Sequence, residues 1–260
     1  MPALKIAVQL ASLRQPLKRA MQVASRLGAA AVEIDARHEI RPQELTQTGL
    51  RQIRKILDEL NLRVSAVSFT TRRGYAVADD LERRIGATRA AMRMAQQLGA
   101  AVVVNSIGRL PKDTEGPDWQ TLITALTDLG RWGDHFGAVL AARTGVDSGP
   151  DLARLLAALP DGALGIDLDP GGLIVHGHSV LEAIAAVGPA IRHVHATDGA
   201  WDLAQGQGLW VELGRGSADY PALLAALDEQ RYNGWLTIAN CGGDDPVGTI
   251  GNAVSYLRSF

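Results

Sequence analysis

A single cysteine, Cys241, among 260 residues excludes an internal disulfide framework and a cysteine-built zinc cluster. Excess charge of either sign is also lacking: 26 lysines and arginines face 28 acidic residues, for a formal net charge of -2. Without a broad positive field there is nothing to hold a polyphosphate backbone, so nucleic acid is not an expected partner. No apolar run is long enough to cross a bilayer, and the opening Met1-Pro-Ala-Leu-Lys-Ile-Ala-Val has no signal-like apolar core but leads straight into a strand-like segment. A cytoplasmic protein with no membrane partner is the expectation. Low-complexity stretches and linkers are missing too, so 1–260 reads as one domain. What the chain does have is apolar residue, 47% of the total, enough for a sizeable core.

That apolar content is punctuated. Short runs at Lys5–Leu10, Ala31–Asp35, Arg63–Ser68, Ala101–Asn105, Val139–Arg143, Leu164–Asp169, Ile191–His195 and Trp235–Ala239 read as strands. Between them, apolar residues at three- and four-residue spacing predict helices over Pro16–Leu27, Leu50–Leu60, Asp80–Leu98, Trp119–Phe136, Asp151–Leu159, Ser179–Val187, Tyr220–Gln230 and Pro246–Leu257. Gly28, Gly99 and Gly137 each stand between a helix and the next strand, where a left-handed cap reverses the chain; Asn61, Asp161-Gly162 and Asn233-Gly234 suit the same task. A doubly wound open sheet uses the same alternation, but eight units and the lack of GxGxxG after the first strand favour an α/β fold closed into a single (β/α)8 TIM barrel.

In such a barrel the reacting groups gather where strands run out into the loops that lead to the helices. The strand ends here carry Glu33 and Asp35, Ser68, Asn105, Arg143, Asp167 and Asp169, and His193 and His195. Residues two apart share a face, so the two histidines point together, as do the two aspartates. A buried ring of this kind is unfavourable unless its members satisfy one another or a ligand. Thr70-Thr71-Arg72-Arg73 after the third strand and Gly214-Arg215-Gly216 after the seventh offer guanidinium forks and open amides suited to phosphate or carboxylate. Asp169-Pro170-Gly171-Gly172 is a turn by composition, and His176 and His178 read as exposed loop histidines.

These residues resemble the xylose isomerase-like barrels, which include sugar phosphate isomerases and epimerases and metal-dependent apurinic endonucleases. The resemblance spans nearly the whole chain and is most specific at Leu140–Ser148, at Gly165–Val175 (Gly-Ile-Asp-Leu-Asp-Pro-Gly-Gly-Leu-Ile-Val) and at Ile191–Asp198 (Ile-Arg-His-Val-His-Ala-Thr-Asp). It implies a sugar or sugar-phosphate ligand, and a divalent cation (manganese, magnesium or zinc) held by a glutamate ending strand five, an aspartate ending strand six, a histidine ending strand seven and a glutamate ending strand eight. Asp169 and His195 match. The strand-five ligand falls on Arg143, in Ala141-Ala142-Arg143-Thr144-Gly145, and the strand-eight ligand on Ala239, or on Asn240 with a register one residue later, just before Cys241. Two carboxylates lost and one guanidinium gained shift the local charge by about three units, which disfavours a tightly bound cation. Strands five and six are neighbours, so Arg143 can reach Asp169 and stand where the ion would be.

The expected centre is therefore Arg143, Asp169 and His195, with Asp169 and His195 as remnant metal ligands. Asp35, Arg72, Asn105, His193, Asp198, Trp201 and Arg215 are the candidate substrate-binding residues. The leading reading is an isomerase or epimerase with an altered centre, and the alternative an inactive barrel that binds a sugar, polyol or phosphate. An apurinic endonuclease fits least, because that chemistry needs three metals. Trp201 and Trp210 flank Gln205-Gly206-Gln207-Gly208 and read as a pocket wall, while exposed tryptophans also suit a homo-oligomer contact.

Overall fold

Every barrel strand anticipated from the apolar runs forms to within one residue at either end. The computed structural model describes residues 4–202, 206–239 and 244–260; Asn240, Cys241 and Gln205 lie outside them. The strands are β1 (Ile6–Gln9), β2 (Ala31–Asp35), β3 (Arg63–Ser68), β4 (Val102–Asn105), β5 (Val139–Arg143), β6 (Gly165–Leu168), β7 (Ile191–Ala196) and, after a hairpin of β8 (Asp198–Asp202) and β9 (Gln207–Val211), β10 (Leu236–Ile238). Apart from the hairpin they are parallel and close in the order β1-β10-β7-β6-β5-β4-β3-β2. Eight βα units thus form a single TIM barrel. Among the described residues no helix is long and apolar enough to cross a membrane.

The helices are α1 (Leu17–Arg26), α2 (Gln47–Glu59), α3 (Leu81–Leu98), α4 (Pro117–Phe136), α5 (Gly149–Ala157), α6 (Pro170–Val175), α7 (Val180–Val187), α8 (Tyr220–Glu229) and α9 (Pro246–Leu257). Some begin earlier than their apolar periodicity because polar caps set the start. Thr46 accepts from the Gly49 amide ahead of α2, and Ser148 from the Asp151 amide ahead of α5. Gly28, Gly99 and Gly137 take the left-handed conformation with φ of 87°, 75° and 65°. After α8 the expectation fails: Arg231, with φ 56°, makes the reversal in place of Asn233-Gly234. The backbone turns at the first residue past the helix, before the Asn-Gly pair is reached.

The main core lies between strands and helices, where faces such as Leu122, Leu126 and Leu129 of α4 are fully covered. Inside the barrel the packing divides. Ala66, Val102, Val104 and Ala141 form a small apolar cluster, and beside it Glu33, Ser65, Asp167, His193, His195 and Thr237 are buried. The parallel ladder skips a residue at two places, between Val32 and Glu33 and between Ile166 and Asp167. Such irregularities re-aim side chains, and here each one immediately precedes a buried carboxylate.

Two features over the barrel mouth are absent from the periodicity. Asp169, expected in a turn, is the N-cap of α6: its carboxylate accepts from the Gly172 amide at 3.0 Å. The β8–β9 hairpin then lies across α6, with Gly208 so close that an added Cβ would overlap the Val175 backbone. Gly208→Ala is therefore expected to lift the hairpin and lower stability by about 1–3 kcal/mol. In thermal unfolding this reads as a Tm lower by several degrees, and an unchanged Tm would show that the hairpin is not seated on α6.

Candidate functional site

The buried polar groups form one continuous network. Asp167 on β6 accepts from Nδ1 of both strand-seven histidines, at 2.7 Å from His193 and 2.7 Å from His195. His193 turns its Nε2 to the Thr237 hydroxyl at 2.7 Å, which meets Ser65 at 3.2 Å. On the other side His195 Nε2 stands 2.9 Å from Glu33 Oε2 as an ion pair, and among the described residues neither atom completes a hydrogen bond. The Glu33 carboxylate is steadied from above by Gln9, whose amide donates at 2.7 Å and whose carbonyl accepts from Ser12 at 2.6 Å.

Charge compensation sets the protonation. Burial and the Arg143 charge both work against an imidazolium at His195, but Asp167 and Glu33 outweigh them and hold its pKa up at about 9. Burial would raise Glu33, and the opposing charge of His195 at 2.9 Å brings it instead down to about 2. Asp167 is depressed well below the usual carboxylate range for the same reason, burial being overcome by the two histidines. In contrast Glu39, in the loop after β2, is pushed up to about 7, chiefly by burial and further by the nearby Asp35 and Glu33 charges.

Above this network sits the ion pair that adjacent strand ends make available. Arg143 Nε donates to Asp169 Oδ2 at 2.7 Å and lies 3.9 Å from Asp167 Oδ2. The other Asp169 oxygen accepts from the Gly172 amide and the Thr197 hydroxyl. Arg143 is 30% exposed at its side chain while Asp169 is 3% exposed, so the guanidinium faces outward and the carboxylate backs it. Arg143, Asp169, Gln9, His176, Trp210 and Ala239 are among the residues lining a cavity of about 470 Å³.

The other expected residues divide by role. His193 belongs to the buried network, as does His195, and neither lines that cavity. Asp35 turns back on its own loop, accepting from the amides of Arg37 and His38. Asn105 is consumed by scaffolding: it accepts from the Thr71 amide at 3.0 Å and donates to the Tyr75 hydroxyl at 2.7 Å. Asp198 accepts amides from Gly199, Gly214, Gly216 and Ala218 and so folds the loop that carries Arg215, which is exposed. Trp210 lines the cavity, whereas Trp201, 46% exposed, does not. Arg72 lines a different cavity.

Sequence reasoning noticed Glu33 and Asp167 at strand ends but did not place them in the centre. Gln9, a polar residue closing the first apolar run, carried a readable signal. His176, set aside as a loop histidine, sits at the end of α6 with Nδ1 2.8 Å from the Gly172 carbonyl. A carbonyl only accepts, so Nδ1 carries the hydrogen, and in the neutral tautomer that this bond selects the ring's acceptor is Nε2.

The four strand-end positions that the resemblance assigns to a cation are Arg143, Asp169, His195 and Ala239. They do not fit one. A guanidinium occupies the first, a methyl group the last; Asp169 is bound to Arg143, and both ring nitrogens of His195 face carboxylates. At an effective dielectric of about 20, each unit of cation charge 4 Å from Arg143 would be opposed by about 4 kcal/mol. Glu33, His193 and His195 bring donor atoms within 4.8 Å of one another, but Glu33 is already paired with His195 at 2.9 Å, and Thr237 holds the His193 nitrogen.

Residues 21–260 match the family described as the xylose isomerase-like TIM barrel. The chain is 23% identical to an inosose dehydratase of Clostridium beijerinckii, over 78% of this chain and 76% of that protein. Among solved structures it superposes on a xylose isomerase domain protein from Planctomyces limnophilus with a TM-score of 0.86 at 22% identity, covering 99% and 97% of the two chains. A 3-keto-D-glucoside 4-epimerase from E. coli gives a TM-score of 0.79 at 15% identity, over 99% and 100%. At these identities the structural likeness speaks for the fold.

Proposed function

The chain belongs to the family of xylose isomerase-like TIM barrels, and from that premise we propose that its strand-end cavity binds a sugar-like polyhydroxylated carbonyl compound and removes the proton next to the carbonyl, with Arg143 in place of a divalent cation. One observation carries the reading: a guanidinium fixed through its Nε by Asp169 at 2.7 Å on the wall of the cavity, with N–H groups left over, among the described residues, to meet an oxygen. In the step, the α C–H bond breaks, its proton passes to His176 Nε2, and the electron pair moves onto the carbonyl oxygen, whose developing charge Arg143 stabilises. Asp169 keeps the guanidinium aimed, and Trp210 covers the cavity. Reprotonation at the same or the neighbouring carbon, or loss of a β-hydroxyl, then gives epimerisation, isomerisation or dehydration. Two of the reaction names among the relatives, dehydratase and epimerase, are outcomes that such a first step can lead to.

Solvent exchange tests it directly. Incubated in D2O with a panel of ketoses, inososes and their phosphates, with a chelator present throughout, the protein is expected to exchange the α proton of at least one member, read by NMR. His176→Gln and Arg143→Gln should each slow that exchange by about a hundredfold or more. If no compound exchanges but some bind by calorimetry, the chain is a binding barrel; Ala239, where the resemblance implies a second carboxylate, favours that alternative.

A further inference from the structure

A second cavity, of about 550 Å³, opens among the loops after β2 and β3 and the start of α3, and five arginines line it: Arg37, Arg72, Arg73, Arg83 and Arg84. The chain as a whole carries a net charge of -2, so this is a local concentration against the general balance. The compensation is thin. Arg73 meets Asp79 at 3.5 Å and Arg83 meets Asp80 at 3.0 Å, both in exposed pairs that hold little energy. Five positive charges against these two leave a surplus of three.

Two of the remaining arginines, Arg37 and Arg84, are oriented without being neutralised. Arg37 Nη1 donates to the Thr70 carbonyl at 2.7 Å. Arg84 donates its terminal nitrogens to the Val77 and Asp79 carbonyls, and its Nε is buried with no hydrogen-bond partner among the described residues. Carbonyl oxygens fix a guanidinium in place but supply no formal counter-charge, so the field stays directed into the cavity. The 18-residue α3 starts at the same wall, at Asp80, with no side-chain cap, and the positive end of its dipole adds to the field.

This cavity adjoins the central one. Thr71 lines it and donates its hydroxyl to the Ser106 carbonyl at 2.8 Å, and Ser106 lines the central cavity.

We infer that the arginine cavity is an oxyanion site that takes a phosphate monoester. Several guanidinium forks suit a dianion with three equivalent acceptor oxygens better than a carboxylate. The surplus of three exceeds its charge. The link to a substrate rests on the preceding reading: the ester's polyol chain would extend past the Thr71–Ser106 wall toward Arg143.

Calorimetry with inorganic phosphate, D-glucitol and D-glucitol 6-phosphate at low salt separates the two parts. Wild-type protein is expected to bind inorganic phosphate, and the Arg72→Gln, Arg83→Gln double variant, altered only at exposed side chains, to bind it at least about tenfold more weakly. Arg143→Gln should leave phosphate binding unchanged. Equal affinity in the wild type and the double variant, or no phosphate binding by the wild type, overturns the site. D-glucitol 6-phosphate is expected to exceed both phosphate and D-glucitol. If it binds no better than phosphate, the arginine site stands and the central-cavity reading fails.

Discussion

Asp167→Asn is expected to destabilise the protein by about 3–5 kcal/mol, the usual effect of removing one partner from a buried ion pair. Asparagine keeps the shape but neither the charge nor the capacity to accept from two imidazoles at once. His193 and His195, both buried and both bonded to this single carboxylate at 2.7 Å, would compete for one amide oxygen. In a chain of this size the loss corresponds to a Tm lower by about 6–10 °C. A single variant within a degree or two of wild type would mean that the network does not hold the barrel.

The same replacement should flatten the pH profile. The folded His195 pKa of about 9 lies above its ordinary 6.5, so the folded state binds the proton more tightly. Its contribution is complete below about pH 6.5 and is lost as pH rises through 9. Glu33 has the opposite sign: its pKa of about 2 lies below 4.5, so its contribution is present above pH 4.5 and lost as pH falls toward 2. Glu39, raised from 4.5 to about 7, takes away stability across that interval. The wild-type Tm should therefore decline steadily from neutral pH to about 9.5, and Asp167→Asn should show a much weaker alkaline slope.

The second large effect is a gain. Arg143→Glu combined with Ala239→Glu is expected to convert the cavity wall from a fixed cation to a cation trap, with Asp169 released from its partner and two new carboxylates beside it. Affinity for manganese should rise by at least about a hundredfold over wild type, some 2.7 kcal/mol at 25 °C. Titration calorimetry measures the gain, and thermal unfolding with and without manganese shows whether the ion also restores any stability lost to crowding negative charge. No gain in a folded double variant would mean that residues 143 and 239 do not face a common point, and that the guanidinium is not standing in for an ion.

The barrel was legible because its strands are short apolar runs and its helices carry a clear periodicity over the core. Boundaries drifted where polar caps such as Thr46 and Ser148, which the apolar pattern ignores, begin the helix, and at α4, which starts at Pro117 without a side-chain cap. The β8–β9 hairpin was not legible: its residues alternate weakly, and its position depends on Gly208 seating against α6, a contact far apart in sequence. In the site, the Arg143–Asp169 pair followed from neighbouring strand ends. The inward turn of Glu33 and Asp167 depends on ladder irregularities that no side-chain pattern announces. Asn105 and Asp198 look like ligand-binding residues in sequence and spend their polar atoms on neighbouring loops, Asp198 on backbone amides and Asn105 on the Thr71 amide and the Tyr75 hydroxyl, a distinction that requires knowing where loops 70–75 and 212–218 run.

The positive charge at the fifth strand is part of the polypeptide. An ion held by side chains is present only in proportion to its concentration and affinity, and can be exchanged for a commoner competitor. A guanidinium has no dissociation equilibrium: every folded copy carries it from the moment the barrel closes, whatever the surrounding supply of metal.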